Sequence, residues 1–428
     1  MLKLGVARKD ITPQVGGHLF GYSPDLCSTS LHDPLDVTAL VFGSGKEIIA
    51  WISATVCLLS NQLVDEIHAK IQKKTGICGD NIIISATHTH SGPNLAGMVG
   101  WGDVDRPYYE NVFLPQLLAA VEEAMASMVP VQVGIAAGES QVGVNRRQRK
   151  EDRVVLGQNP WGPYDPTMTV ISFRNEEEKP VANIVHYGCH GTCAGRYTAI
   201  SRDWPGVMVD AMEAATGATT IFINGPEGDV GPRISNGKTT GNDRMKYVVE
   251  LGQKAAEDAI RVYRSIDSYT DMEMEICKGA IRIPLRPRIS REEAKVGLEE
   301  FFGNTRNLGA KQAAYYQKVL DSYDNGYEEQ PDLPLRQWLL HLGDTVIFTT
   351  GCELFSEIGM RIKSMSPHRV LCAAVSNGND SYFATDSELC MGGYEVVSFL
   401  TDRVQPFAEH ADWHFIKETL RNMDENLK

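Results

Sequence analysis

Runs of apolar residues that end in polar, glycine-rich turns recur along the chain. Apolar runs without a helical period predict buried strands, and they occupy residues 37–42, 47–53, 82–84, 168–173, 181–187, 219–223, 345–350 and 370–375. Between two of these runs, Leu63, Ile67 and Ile71 recur at helical spacing and predict an amphipathic helix over 58–74. A strand, a helix and a second strand in this order are typical of a strand–helix–strand unit. The pattern therefore predicts an α/β fold of mixed buried sheets flanked by helices, as one domain over 1–428.

The same periodicities predict further elements. Helical spacing favours helices over 108–128, 205–216, 244–263 and 413–428. Residues 291–323 predict a pair of helices within an insertion over about 289–325, and this pair is expected to contribute packing and no chemistry. Residues 4–11 alternate apolar and polar side chains and precede Pro13, so they predict an edge strand. No internal repeat is visible in the sequence.

Composition narrows the class of protein. The chain has 428 residues, of which 43% are hydrophobic and 22% charged, as in ordinary globular proteins. Its formal net charge is -14, which argues against a nucleic-acid surface or an anchor to anionic membranes. No apolar run approaches the roughly 20 residues that span a bilayer, and the start shows no signal-peptide pattern. With 9 cysteines and no CxxC pair, we expect reduced thiols, a cytoplasmic location and a small-molecule substrate, with a homo-oligomer left open.

The turn after residues 82–84 carries candidate chemistry. It reads THTHSGP over 87–93, and His88 and His90 face the same way if the backbone stays extended. Imidazole is a common metal ligand, and open α/β sheets bind ligands at the carboxyl ends of their strands. The alternative is a hydroxyl-rich loop whose histidines cap neighbouring backbone groups.

Polar side chains follow other predicted strands in the same way. In chain order they are His190, Asn224, Asp229, Glu353 and Tyr382. Two or three histidines and one carboxylate are the ligands of a catalytic zinc that keeps one position open. Since these residues come from distant parts of the chain, their convergence predicts a Zn²⁺ site at the carboxyl ends of strands. The alternative is a set of unrelated polar turns.

Other segments are candidates for substrate contact. A basic run such as NRRQR at 145–149 is typical of a solvated loop, but in an acidic protein Arg147 or Arg233 can bind a carboxylate or phosphate. His18 lies among Gly16, Gly17 and Gly21, where the backbone can approach a ligand closely. We predict substrate contacts from these side chains and from Asn224.

The motifs together resemble those of a known family. They are GVARKDITP at the start, HDPL at 32–35, THTHSGP at 87–93, NRR at 145–147, CHGT at 189–192, GDVGP at 228–232, CELF at 352–355 and SYFAT at 381–385. In this order they resemble the catalytic domain of neutral/alkaline non-lysosomal ceramidases. The resemblance implies that domain's fold and a zinc held by two His, a Glu and a Tyr. Carried over, these ligands are His88, His190, Glu353 and Tyr382.

The sequence departs from that family in ways that bear on the reaction. The family's proposed nucleophile is the Ser of GDVSP, and Gly231 stands at that position here. The GPGG motif becomes Gly92-Pro93-Asn94-Leu95. We also expect no secretion signal and no C-terminal immunoglobulin-like domain. These departures leave the metal ligands in place and favour a small soluble substrate over ceramide.

The sequence therefore predicts a zinc-dependent hydrolase of an amide, ester or lactone bond, in which metal-bound water attacks directly. His90 or Asp229 is predicted to act as general base or to orient the reacting groups. One alternative is a metal-dependent isomerase or lyase that acts on a sugar-like carbonyl compound. Another is a ligand-binding protein without catalysis, because the family's Ser is missing.

Overall fold

A large mixed sheet runs through the molecule. The computed structural model describes residues 1–235 and 244–426. In spatial order, the 8 strands of this sheet are Thr219–Asn224, Pro180–Tyr187, Thr167–Asn175, Val129–Glu139, Lys3–Asp10, Asp36–Ser44, Glu47–Ala54 and Ile82–Ala86. The outermost pair on each side is parallel, and the inner pairs are antiparallel. The prediction of mixed buried sheets is confirmed.

A second, smaller sheet packs against the first. Its 4 strands are, in order, Met274–Pro284, Asp332–Leu342, Thr345–Thr349 and Arg369–Ala373. Trp51 of the large sheet shares one buried cluster with Ile347 and Leu371 of the small sheet. Short paired strands lie beyond the sheets: Ser30–Leu31 with Ala199–Ile200, Gly143–Asn145 with Val230–Pro232, Arg147–Arg149 with Val154–Leu156, and Glu353–Leu354 with Tyr382–Phe383.

Helices cover the outer faces of both sheets. They span Asn61–Thr75, Arg106–Tyr108, Leu114–Ala126, Asp203–Thr216, Met245–Arg264, Arg291–Phe301, Asn307–Asp324, Ser356–Met365, Asp386–Leu389, Tyr394–Leu400 and Ala411–Asn426, with a 3-10 turn at Gly79–Asn81 and a π-turn at Tyr109–Phe113. Leu63 and Ile67 of the first helix join the core on one face of the large sheet, and Phe415 of the last helix joins the core under the small sheet. No helix in the described ranges is long and apolar enough to cross a membrane.

One arrangement of strands occurs three times. In each unit, a first strand pairs antiparallel with a hairpin, and the second hairpin strand pairs parallel with a strand that follows a helix. The units begin at Lys3–Asp10, Val129–Glu139 and Met274–Pro284, and their crossover helices are Asn61–Thr75, Asp203–Thr216 and Ser356–Met365. The first two units join into the large sheet where Lys3 pairs with Pro130, and the third forms the small sheet. This repetition of structure was not visible in the sequence.

One predicted position in the fold was wrong. Lys3–Asp10 was expected at an edge, but it lies inside the large sheet between Asp36–Ser44 and Val129–Glu139. Pro13 does not interrupt the ladder because the strand ends at Asp10, before the proline. The predicted helical pair is present as Arg291–Phe301 and Asn307–Asp324.

Candidate metal centre

Four side chains from separate strand ends meet in the interior. Glu353 Oε2 lies 3.1 Å from His190 Nε2 and 3.4 Å from His88 Nε2. The three ligand atoms lie within 4.8 Å of one another. The Tyr382 hydroxyl lies 3.5 Å from His190 Nε2. All four side chains are buried, so the structure brings together the residues that the sequence had proposed as metal ligands.

Short backbone pairings hold these residues side by side. Glu353 and Tyr382 are direct partners in a parallel pair of two-residue strands. Thr89, next to His88, forms a bridge with Gly191, next to His190. Each turn therefore fixes its neighbour, and the four side chains do not depend on flexible loops for their position.

The backbone at His88 is not extended, in contrast to the assumption made from sequence. Its φ is 66°, in the left-handed region that few residues other than glycine adopt. The His88 amide donates to the Val56 carbonyl at 3.0 Å, which stabilises this conformation. The His88 and His90 rings still lie close, with centroids 4.9 Å apart. Backbone strain of this kind clusters at functional sites, where surrounding contacts hold it.

Hydrogen bonds fix the tautomers of both ligand histidines. His88 Nδ1 donates to the Cys57 carbonyl at 2.9 Å, and His190 Nδ1 donates to the Glu227 carbonyl at 2.9 Å. Since a carbonyl oxygen can only accept, both rings carry a proton on Nδ1 and direct Nε2 toward the Glu353 carboxylate. With each Nδ1 engaged in this way, both Nε2 atoms are positioned to bind a cation beside the Glu353 carboxylate. The donor set of two imidazoles, a carboxylate and a phenol fits a divalent metal such as zinc.

The pKa values follow from burial and mutual charge. Burial lowers the pKa of His88, but Cys57 and the Glu353 carboxylate outweigh it and hold that pKa well above its ordinary value. Burial, together with the Arg146 guanidinium, lowers the pKa of His190 to about 3. Burial opposes ionisation of Glu353, yet His88 and His190 hold its pKa well below the ordinary value. The cluster thus keeps an ionised carboxylate beside a site for one positive charge.

A buried arginine supports the phenol of this cluster. Arg146 Nη2 donates to the Tyr382 hydroxyl at 2.9 Å, and Arg146 Nε pairs with Glu395 at 2.8 Å. Its neighbour Arg147, which the sequence predicted to contact substrate, makes a different set of contacts. Arg147 pairs with Glu388 and Glu395 and donates to the Gly392 carbonyl. The alternation of side chains along an extended segment is the signal that separates the two arginines.

A cavity of about 470 Å³ opens beside the cluster. Its lining includes Gly21, Tyr22, His90, Trp101, Arg146, Leu156, Thr192, Gly195, Arg196, Ser235, Arg244, Asn307, Tyr382 and Tyr394. His90 links the cavity to the cluster, because its Nε2 lies 3.2 Å from His88 Nε2 while its ring lies 5.1 Å from that of Tyr22. The volume falls within the range of about 300–1,000 Å³ that is typical of small-molecule sites.

Asp229 does not face this cavity. Its Oδ1 accepts from the Ser356 amide at 2.7 Å and its Oδ2 from Asn145 Nδ2 at 3.0 Å. Both carboxylate oxygens therefore accept hydrogen bonds, and Asp229 links the turn that carries Glu353 with the turn that carries Arg146. The predicted role as catalytic base is replaced by a positioning role.

The other residues predicted to contact substrate also lie away from the cavity. Asn224 Oδ1 accepts from the Cys189 amide at 3.1 Å inside the core. Arg233 donates to the Gln141 carbonyl and stacks on Tyr164. His18 is exposed, with its Nδ1 3.4 Å from Cys27 Sγ. Their turns were located correctly, but turn position alone does not say which way a side chain points.

Glu227 is a buried group that sequence reasoning missed. Its side chain is 0% exposed, and neither carboxylate oxygen has a hydrogen-bond partner among the described residues. Burial raises the pKa of Glu227 well above its ordinary value, so a neutral carboxylic acid stands behind His190. The glutamate in the turn NGPEGDV was its only sequence signal.

Comparison with known proteins relates the chain to one family. Residues 2–246 match the sequence model of the family described as "Neutral/alkaline non-lysosomal ceramidase, N-terminal". The chain is 25% identical over 259 residues to "Neutral ceramidase A" of Dictyostelium discoideum, which covers 54% of this chain and 36% of that protein. It is 25% identical over 266 residues to "Neutral ceramidase" of Mycobacterium tuberculosis, with coverage of 55% and 41%. The matched segments thus span well under half of these relatives.

Solved structures share the fold. The crystal structure of neutral ceramidase from Pseudomonas aeruginosa superposes with a TM-score of 0.73 over 99% of this chain and 73% of that one, at 17% identity. A structure described as "Ceramidase complexed with C2" gives a TM-score of 0.70 over 98% and 74%, at 16% identity. At this level of identity, the match establishes the architecture.

Proposed function

Because the chain belongs to the neutral/alkaline non-lysosomal ceramidase family, we propose that it is a metal-dependent hydrolase of an amide, ester or lactone bond. The observation that carries this proposal is the convergence of His88 Nε2, His190 Nε2 and Glu353 Oε2 around a site for one cation. The relatives are named for ceramide, but we propose a small substrate for this chain. The cavity beside the cluster has the volume of a small-molecule site.

We propose zinc as the ion. When bound, zinc supplies Lewis acidity and lowers the pKa of water at its open position to about 7. His88, His190 and Glu353 would hold it, and Tyr382 would complete the site with its phenol oxygen. The Arg146 guanidinium, 2.9 Å from that oxygen, favours the phenolate form of Tyr382.

His90 is the residue best placed to move a proton. Burial lowers the pKa of His90 well below its ordinary value, and the neighbouring His88 and His190 lower it further. It is therefore a neutral base at the boundary between the cluster and the cavity. It would take the proton from water as the water oxygen bonds to the substrate carbonyl carbon. The same imidazole would return that proton to the leaving nitrogen or oxygen as the scissile bond breaks, and general catalysis of this kind contributes roughly 10²- to 10⁴-fold.

Gly231 favours direct hydrolysis over an acyl-enzyme. It follows Val230, whose carbonyl accepts from His190 Nδ1 at 3.1 Å, so a hydroxyl at this position would lie next to the metal ligand. The resemblance places the family's Ser there, and glycine supplies no nucleophile. The same observation favours a second candidate function, a protein that binds metal and ligand without turnover.

Metal content and hydrolysis together test the proposal. Protein purified in zinc-containing buffer should hold one zinc per chain, with an anomalous peak among His88, His190, Glu353 and Tyr382. The loaded protein should hydrolyse at least one member of a panel of short N-acyl amines, esters and lactones, and His90→Gln should lower turnover while zinc stays bound. Zinc at another place would overturn the site. Full zinc occupancy without hydrolysis would favour the binding protein, and turnover of a ketose alone would favour the isomerase that the sequence had left open.

A further inference from the structure

The lining of the cavity carries positive charge in an acidic protein. Its side chains include Arg146, Arg196 and Arg244 and no Asp or Glu, although the formal net charge of the chain is -14. Arg146 forms an ion pair with Glu395 and donates a hydrogen bond to Tyr382. Within the described ranges, neither Arg196 nor Arg244 forms an ion pair with a carboxylate. In the described part of the chain, these two guanidinium groups therefore have no carboxylate within ion-pair distance.

The surroundings of Arg244 increase this positive potential. Arg244 lies at the N-cap of the helix Met245–Arg264, where the helix dipole favours negative groups. The first turn of that helix contains no acidic residue and includes Lys246. Cations at this end of the helix interact unfavourably with the helix dipole. A bound anion would offset that repulsion. Residues 236–243, outside the described ranges, contain one Lys and one Asp and so add no net charge to the segment before the helix.

The fold makes room for the Arg244 side chain at the cavity wall. A Cβ atom on Gly195 would lie 2.5 Å from the guanidinium carbon of Arg244, so the arginine lies directly on a glycine. Among the described residues, the Arg244 guanidinium makes one long contact, 3.4 Å from Nε to the Cys193 carbonyl, and its terminal nitrogens have no hydrogen-bond partner there. Arg196 follows Gly195 and is exposed, and Asp25, a carboxylate that interacts electrostatically with Arg196, forms its ion pair with Arg306 at 3.2 Å.

Unsatisfied polar atoms in the same lining also indicate a polar ligand. His90 Nδ1 and Asn307 Oδ1 are buried and have no hydrogen-bond partner among the described residues. The Ser235 hydroxyl, on a side chain that is 2% exposed, lies beside the Cys193 thiol and has no oxygen or nitrogen partner there. Tyr22, Trp101 and Tyr394 supply an aromatic wall next to these groups.

We propose that the substrate is an acyl compound that carries a carboxylate, and that Arg244 and Arg196 bind this carboxylate in the cavity beside the metal cluster. This inference rests on the proposed hydrolase for its acyl bond and on the arginines for its charge. A neutral substrate would offer neither guanidinium group an ionic partner, whereas a carboxylate pairs with the planar guanidinium fork. An N-acyl amino acid has both features, and its hydrolysis adds water across the amide to give an acid and an amino acid.

Binding of inert analogues tests the charge separately from the reaction. In the probe, a methylene replaces the amide N–H of N-hexanoylglycine, so the compound keeps the carbonyl and carboxylate and cannot be hydrolysed. The comparison compound is identical except that it lacks the carboxylate. Calorimetry with the zinc-loaded chain should show the carboxylate probe binding roughly 10- to 100-fold more tightly. Arg244→Gln should remove most of this preference. Arg196→Gln should reduce it, and this change leaves the contact between Arg244 and the Cys193 carbonyl in place.

The helix provides a matched control. Arg264 is exposed at the other end of Met245–Arg264, and Arg264→Gln removes the same charge from the same helix. That variant should bind both probes as the unmodified chain does. Equal affinity for the two probes, or an equal loss of both in Arg244→Gln, would overturn the proposal whether or not any compound is hydrolysed. A carboxylate preference without hydrolysis of N-hexanoylglycine would support this inference and count against the hydrolase.

Discussion

Arg146 Nη2 donates a 2.9 Å hydrogen bond to the Tyr382 hydroxyl, which itself lies 3.5 Å from His190 Nε2. Burial raises the pKa of Tyr382 well above its ordinary value, the Glu353 carboxylate raises it further, and the Arg146 guanidinium acts in the opposite direction. A phenol that is to bind a metal must lose its proton. The arginine therefore favours the deprotonated ligand, which burial and Glu353 oppose.

Arg146→Gln is expected to weaken zinc binding. Loss of a group that orients a metal ligand and favours its ionised form typically lowers metal affinity by about 10- to 100-fold. Arg282→Gln, an exposed arginine paired with Asp332, serves as the control and should leave the affinity unchanged. Competition with a chromophoric chelator measures both. Equal zinc affinity in the two variants would show that Tyr382 does not bind the ion as a phenolate.

Metal removal should lower thermal stability through the same cluster. An ion that binds only the folded chain adds about 4 kcal/mol at a free concentration near 1,000 times its dissociation constant. Thermal unfolding with zinc and with a chelator should therefore differ for the unmodified chain and for Glu299→Gln, a change on an exposed helix face. In Glu353→Gln the two curves should coincide. A zinc-dependent shift that persists in this variant would place the ion elsewhere.

Asp229 should make stability depend on pH. Burial raises its pKa from 3.8 to about 7, so the folded chain keeps a proton that the unfolded chain releases. The folded state then binds more protons between these values, and stability falls as pH rises through that window, by about 4 kcal/mol in total. Asp229→Asn lacks this titration. Denaturant unfolding of both proteins from about pH 4 to 8 should show the difference widening with pH, and parallel curves would contradict the assignment.

The helical pair reaches closer to the cluster than its sequence indicated. Lys311 Nζ contacts the hydroxyls of Ser381 at 3.2 Å and Ser398 at 2.9 Å and pairs with Asp402 at 3.2 Å. Ser381 precedes Tyr382 and has a φ of 67°. Lys311→Met is therefore expected to cost about 2 kcal/mol of stability, because it removes charged hydrogen bonds from a buried site.

An exposed lysine on the neighbouring helix gives the comparison for that change. Lys295→Met should leave the unfolding midpoint unchanged. The lysine is predicted to position Ser381 and to take no part in the chemical step, so turnover per zinc-loaded molecule of Lys311→Met should stay close to that of the unmodified chain. A large loss of turnover in folded, zinc-loaded Lys311→Met would assign the helical pair a catalytic group.

No covalent intermediate is expected during turnover. Gly231 offers no nucleophile beside His190, so product should form without an initial acyl burst, and mass spectrometry of rapidly quenched protein should show no added acyl group. Gly231→Ser should not raise activity on the native substrate. An acyl adduct on the unmodified chain would refute direct hydrolysis, and Ser91 and Ser376 would then be the first positions to map.

The sequence predicted the strand ends well and the side-chain directions poorly. The runs before His88, His190 and Glu353 are buried strands, as their apolar, β-branched content predicts. Arg146 and Arg147 are adjacent and equally basic, and alternation along an extended segment predicts that their side chains diverge without saying which one faces the cavity. The same limit explains why the direction of the Asp229 side chain was not predicted, because its partner Ser356 is 127 residues away in the sequence. The single domain, the cytoplasmic location and any homo-oligomer remain predictions from composition.

The three repeated strand units give the cluster a particular place in the assembly of the chain. Each unit is built from hairpins of neighbouring strands, whereas each contributes a different ligand, with His88 from the first, His190 from the second and Glu353 from the third. His190 and Glu353 are 163 residues apart, so an ion that joins them closes a very long loop. We expect zinc capture to follow the docking of all three units. Acquisition of the metal would then be a late folding event, and its rate would report when the third unit closes onto the other two.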